Sequence, residues 1–187
     1  MNLAMKNIRG DKMNTEVKFA KIHPNAIIPS KRDEDMGFDI YACFDKNYII
    51  IEPHETKLIP TGIASACNPK YGFLLRERGS TGSKGIALRC GVIDSGYRNE
   101  WFIALTNTTD KRLFISKLNE EDTYKKYYGD SLGGYYISEN FVYPYSKAIA
   151  QALVVPIPKV DIEEISYEEL KTIESERGMG ALGSSNK

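Results

Sequence analysis

The chain has 187 residues, with 25 Lys+Arg against 25 Asp+Glu and a formal net charge of zero. That length fits one domain with a full core, with room for an insertion. A neutral chain offers no continuous field for a nucleic-acid backbone, so duplex DNA or RNA is excluded as its main partner, whereas a small phosphorylated molecule needs only a few local arginines.

Residues 1–14 are polar and unpatterned, with Met13 available as a second start, and are expected to form a flexible extension. From Val17 onward, short apolar segments alternate with turn residues. Strands are expected over Val17–Ile22, Gly37–Ala42, Tyr48–Ile51, Lys57–Ala64, Tyr71–Leu75, Ile86–Leu88, Gly91–Ile93, Trp101–Leu105 and Ala148–Ile157. Gly37–Ala42 alternates Phe38, Ile40 and Ala42 against Asp39 and Tyr41, as a half-buried strand does. Lys57–Ala64 is interrupted by Pro60 and Gly62. Strands at this spacing, with no sustained 3.6-residue period, point to an all-β sandwich or barrel over residues 15–165.

Two regions break the rhythm. Residues 117–145 hold seven of the twelve tyrosines, together with Lys125-Lys126 and Gly133-Gly134. This is an inserted excursion with room for an extra hairpin, and its aromatics either contact a protein partner or pack the insert onto the domain. Residues 166–187 form a C-terminal arm. Within it Tyr167–Ile173, with Ser166 as cap and Glu169 three residues on, is either a helix or a solvated acidic linker.

The cysteines Cys43, Cys67 and Cys90 are odd in number, far apart and without Cys-x-x-Cys spacing, which indicates neither a disulfide framework nor a zinc site. With only His23 and His54, a His-based triad is poorly supplied. No stretch is long and apolar enough to span a membrane, and the N-terminus lacks an apolar core of the signal-peptide kind. Reduced thiols in a cytoplasmic protein are expected.

Three stretches carry chemistry. Arg76–Gly85 places three basic side chains, three hydroxyls and three glycines within ten residues, a cradle for phosphate that lacks the Walker A ending. Cys90–Arg98 runs from an apolar strand through Asp94-Ser95-Gly96 to Tyr97 and Arg98, which reads as a hairpin with a carboxylate and an aromatic ring at its turn. Taken alone, Asp94 is equally an ordinary solvated turn residue. The Gly-rich tail from Arg177 to Ser185 is a second candidate grip on phosphate, and equally a loose terminus.

In order along the chain, these stretches resemble the five motifs of the trimeric dUTPase family. Met36-Gly37-Phe38-Asp39-Ile40-Tyr41-Ala42 is similar to the first, and Arg78-Gly79-Ser80-Thr81 with Lys84 to the second. Gly91 to Arg98 is similar to the third, Lys147 to Leu153 to the fourth and Arg177 to Ser185 to the fifth. The insert between the third and fourth motifs is similar to that of phage forms, some of which act on repressor proteins.

The resemblance implies a distorted jelly-roll β-barrel, assembled as a homotrimer with tails exchanged between subunits. It implies Mg²⁺-dependent hydrolysis of dUTP to dUMP and pyrophosphate, removing dUTP from the nucleotide pool, in a bacterial or host cytoplasm. Asp94 would orient and deprotonate the attacking water, and Tyr97 would pack on the deoxyribose and exclude a 2′-hydroxyl. Gly91, Val92 and Ile93 would read the uracil edge. Arg78, Gly79, Ser80 and Gln151 would hold the phosphate chain. Arg177, Leu182, Gly183, Ser184 and Ser185 would close the site, and Asp39 would support the metal through water.

Three positions depart from the family pattern. Gly79 stands where Ser usually follows the arginine, Ala181-Leu182-Gly183 replaces Gly-Phe-Gly, and Tyr145-Ser146-Lys147 replaces Gly-Asp-Arg. A dCTP deaminase-like activity, the rival on the same fold, needs a Glu before Leu105-Thr106-Asn107, where this chain has Ala104.

Overall fold

β-Branched and aromatic runs of a few residues, closed off by Pro, Gly, Asn or Asp, are too short for helices and bury their side chains by pairing as strands. The computed structural model describes residues 16–129, 138–176 and 178. Its elements are β1 (Val17–Lys21), β2 (Phe38–Ile40), β3 (Tyr48–Ile51), β4 (Thr56–Pro60), β5 (Ile63–Cys67), β6 (Tyr71–Arg76), α1 (Gly79–Gly82), β7 (Ile86–Arg89), β8 (Val92–Ile93) and β9 (Phe102–Asn107). They continue with β10 (Arg112–Ser116), α2 (Glu120–Tyr128), β11 (Asn140–Pro144), β12 (Ala150–Pro156) and α3 (Tyr167–Thr172).

The strands form small sheets ordered β2-β12-β6-β8, β4-β9-β7, β11-β10-β3 and β1-β5. Their inward faces share one core, in which Ile40, Ile51, Ile59, Ile103, Leu113 and Ala150 are fully buried. Trp101 lies at its centre, edge-on to Phe73 at 4.8 Å and to Phe19 at 5.6 Å between ring centroids. Eight of the nine expected strands are present, within two residues at their ends. The run 57–64 is two strands in two different sheets, with the chain turning at Gly62. There φ is +67°, and a Cβ would sit 2.9 Å from that of His23 and 3.1 Å from the Cys43 sulfur, so glycine is required on both counts.

Two expectations are corrected. The stretch Cys90–Arg98 is not a hairpin: its turn forms, with Tyr97 N donating to the Asp94 carbonyl at 3.1 Å, but β8 pairs with β6 while β9 pairs with β4 and β7. The arms therefore diverge into separate sheets. Nor do the described residues of the insert form an added hairpin. It supplies α2 and then β11, which joins β10 in parallel and so extends the β3-β10 sheet. Asn119 caps α2 by accepting from Asp122 N at 2.8 Å, and three acidic residues in its first turn favour the positive helix end.

The chain divides into two compact units between Ile157 and Pro158. In the second, α3 confirms the helical reading of that stretch, with Ser166 Oγ accepting from Glu169 N at 3.1 Å. The N-terminal extension, the middle of the insert (130–137) and most of the Gly-rich tail lie outside the described residues.

Candidate functional site

Strand register brings three of the five motif stretches together. Gln151 on β12 stands opposite Asp39 on β2 and opposite Arg76 on β6, so the acid, the amide and the start of the Arg78 loop share one end of the sheet. Gly37 lets the chain pass over Gln151, since a Cβ there would meet the amide oxygen at 2.6 Å. Gln151 Nε2 donates to the Glu77 carbonyl at 2.8 Å, which ties the amide to the loop.

Arg78 then forks onto Asp39, with Nε to Oδ1 at 2.9 Å and Nη2 to Oδ2 at 3.2 Å. Both side chains are 31% exposed, so the pair is partly desolvated and its ends still reach the cleft. The single turn α1 follows because Thr81 Oγ1 accepts from Arg78 N at 3.0 Å. Nothing surrounds Gly79 within 4 Å of a would-be Cβ. Ser80, one residue on, lies 3.5 Å from Arg78 Nη1 and 3.4 Å from the Tyr143 hydroxyl.

These residues line an open cleft of about 510 Å³ together with Arg32, Asp35, Met36, Gly37 and Lys147. Asp39, Arg78, Gly79, Ser80 and Gln151, named from separate stretches of the sequence, are thus brought together at one cleft. Arg32, Asp35, Glu77 and Tyr143 were not singled out. Glu77 Oε1 accepts from Leu88 N at 3.0 Å, and that hydrogen bond holds its carboxyl below the usual carboxylate range. Arg32 and Asp35 had a sequence signal, an Arg-x-x-Asp spacing that closes a turn on itself.

The third motif stretch does not reach this cleft. Gly91 donates no side chain, but its carbonyl accepts from Leu75 N at 2.6 Å. Val92 is exposed and Ile93 is buried. Asp94 and Tyr97 are exposed at the turn, and the Tyr97 hydroxyl donates to the Glu100 carbonyl at 3.1 Å. Arg98 braces the turn by donating to the Ser95 carbonyl at 2.6 Å, and the Glu100 carboxylate accepts from Gly62 N at 2.8 Å.

The register explains the separation. Val92 lies opposite Leu74 and Ile93 opposite Phe73, so Asp94 points along β6 toward Gly72, whereas the cleft lies beyond Arg76. That is about 13 Å along the strand, and β8 and β12 flank β6 on opposite sides, about 10 Å apart. Within one chain, Asp94 does not line the cleft that Arg78 lines. Arg177, Leu182, Gly183, Ser184 and Ser185 lie outside the described residues.

The insert's described tyrosines turn inward. Tyr124 and Tyr143 are buried, and Phe114 packs edge-on against Tyr48, Tyr124 and Tyr127. Arg112 Nε grips Glu52 at 2.8 Å while its Nη1 donates to the Tyr128 hydroxyl at 2.9 Å, tying α2 to the sheet. Tyr127 alone among the described tyrosines of the insert is more than a third exposed. At the deaminase position, Ala104 is buried, and Asn107 is occupied in donating to the Ile51, Glu52 and Lys111 carbonyls.

A family model described as dUTPase matches residues 23–119. The deoxyuridine 5'-triphosphate nucleotidohydrolase of Nautilia profundicola is 31% identical over 176 residues, covering 92% of this chain and 99% of that protein. The dUTPase of Staphylococcus bacteriophage 80alpha, solved with dUPNHPP, superposes with a TM-score of 0.67 at 21% identity, covering 92% of this chain and 99% of its own. A variant of the dUTPase from phage phi11 of S. aureus, solved for the coordination of a structural Mg(II) ion, gives 0.59 at 20% identity, covering 80% and 96%. These likenesses identify the fold as the jelly-roll type expected.

Proposed function

The chain belongs to the dUTPase family, and from that premise we propose that it hydrolyses dUTP to dUMP and pyrophosphate at a site completed by three subunits. The observation that carries this reading is the cleft in which Asp39, Arg78, Ser80 and Gln151 converge in the family's motif order. Arg78 and Lys147 supply positive charge, Ser80 and Gln151 supply neutral donors, and the open backbone at Gly79 lets a phosphate approach closely.

The donor set fits Mg²⁺ carried by the substrate's phosphates. It consists of hard oxygens, and among the described residues no cluster of His, Cys, Asp or Glu would cage an ion without substrate. Asp39 keeps lone pairs beyond those used by Arg78 and would accept from a metal-bound water. When bound, the ion neutralises charge on the phosphate chain.

Asp94 arrives from a neighbouring subunit. Its carboxylate takes a proton from the water that attacks the α-phosphorus, and the oxygen bridging to the β-phosphorus leaves with the pyrophosphate. Tyr97 covers the sugar face beside it. The segment 166–187 of a third subunit closes the site through Arg177, Leu182, Gly183, Ser184 and Ser185. The exposed Val92, Leu58 and Phe102 are apolar surface available for burial between subunits. The three unpaired cysteines suit a reducing cytoplasm.

The test is pyrophosphate release from dUTP, UTP, dCTP and dTTP, with and without Mg²⁺. Wild type should turn over dUTP alone at an appreciable rate and need the ion. Asp94→Asn should lower kcat by about 10²–10⁴-fold, the range for loss of a positioned base. Undiminished turnover in that variant would remove Asp94 from the mechanism.

A further inference from the structure

The cleft carries a second arginine that none of the motif stretches contains. Arg32 closes a turn with Asp35: its Nε donates to Oδ2 and its Nη2 to Oδ1, both at 2.9 Å. The backbone N of Arg32 also reaches Oδ2 at 3.2 Å, and Asp35 N returns a bond to the Arg32 carbonyl at 3.1 Å. The arrangement repeats, at the rim, the Arg78–Asp39 fork lower in the cleft. The Arg32 side chain is 88% exposed where that of Arg78 is 31% exposed.

Among the cleft-lining residues, three cations (Arg32, Arg78 and Lys147) face two carboxylates (Asp35 and Asp39). Without Arg32 the lining would be neutral, with no net attraction for an anion. An exposed ion pair is weak and exchanges readily in water. A terminal phosphate presents the same two-oxygen edge to a guanidinium with more negative charge.

We propose that Arg32 is a phosphate-binding specificity residue, which leaves Asp35 to grip the outermost phosphate of a nucleoside triphosphate. The turn's backbone bonds, Arg32 N to Asp35 Oδ2 and Asp35 N to the Arg32 carbonyl, hold the base of the side chain at the cleft rim, so only the guanidinium has to reorient on binding. A monophosphate, held only at the inner end, does not reach it. This inference depends on the site being the nucleotide pyrophosphohydrolase proposed above.

The test is steady-state kinetics on dUTP, with inhibition by dUMP, for wild type, R32Q and R32Q/D35N. Removing the grip should raise KM for dUTP about tenfold, the equivalent of one charge-assisted fork, and leave kcat within about twofold. The dUMP inhibition constant should stay unchanged. R32Q/D35N should remain at least about fivefold weaker than wild type for dUTP, because neutralising Asp35 does not restore a donor. Recovery of the wild-type KM in the double variant would show that Arg32 only masks Asp35 and would overturn the proposal. So would an unchanged KM in R32Q, or a dUMP constant that rises in parallel. Wild type failing to hydrolyse dUTP is a different result, and would remove the underlying reading instead.

Discussion

Glu77 shows what a single side chain contributes to this cleft. Its backbone carbonyl takes the Gln151 amide, and its carboxylate takes Leu88 N, so one residue joins the loop before Arg78 to both β12 and β7. The Leu88 bond, with Arg76 and Arg89 nearby, holds the carboxyl below its ordinary value. A depressed folded pKa stabilises the protein above the unfolded value, near 4.3, and that stability is lost as pH falls through the folded value. Glu77→Gln keeps an acceptor oxygen but not the charge. It should cost about 1 kcal/mol at pH 7 and less at a pH below the folded value, read from thermal melts at fixed protomer concentration. An equal deficit at both pH values would mean the charge is irrelevant. Asp39, Arg78, Ser80 and Gln151 were legible in the sequence because they recur at motif spacing. Glu77 was not, because its importance lies in backbone partners that only the fold creates, and the Arg-x-x-Asp spacing of Arg32 marks a turn without revealing that the fold sets it at the cleft rim.

At the scale of elements, the insert is bound to the site by β11. This strand buries Tyr143, whose hydroxyl donates to the Ala148 carbonyl at 2.8 Å and meets Ser80 Oγ at 3.4 Å, while Lys84 lies 6.0 Å from its ring centroid. Ser80 therefore owes its orientation partly to a residue of the region expected to be an excursion. Tyr143→Phe leaves the ring and removes both bonds. KM for dUTP should rise about threefold with a loss of about 1 kcal/mol in stability. Tyr124→Phe, which breaks only a bond to Glu120 on the same helix, should leave KM unchanged. Equal KM values in the two variants would cut the proposed link. The sequence could not announce this arrangement. β10 and β11 pair across more than twenty residues, and α2 spreads its tyrosines without a continuous apolar stripe.

For the whole molecule, the decisive fact is the separation of Asp94 from Arg78. The sequence placed both in one constellation because motif order carries no information about which chain supplies which motif. The strand register keeps them apart within a single chain. If each site draws Arg78 from one subunit and Asp94 from the next, inactive chains should complement one another. Asp94→Asn and Arg78→Ala protomers are each expected to be nearly inactive as homotrimers. When the two are refolded together at equal amounts, a site is intact if its Arg78 donor is an Asp94→Asn chain and its Asp94 donor is an Arg78→Ala chain. Random assembly meets both conditions in about one quarter of sites, so the mixture should recover about a quarter of wild-type turnover. Mixing without refolding should recover nothing until subunits exchange. Recovery no greater than the sum of the two variants would show that the site closes within one chain, which would require the Asp94 turn to swing across β6 to the far end of the sheet.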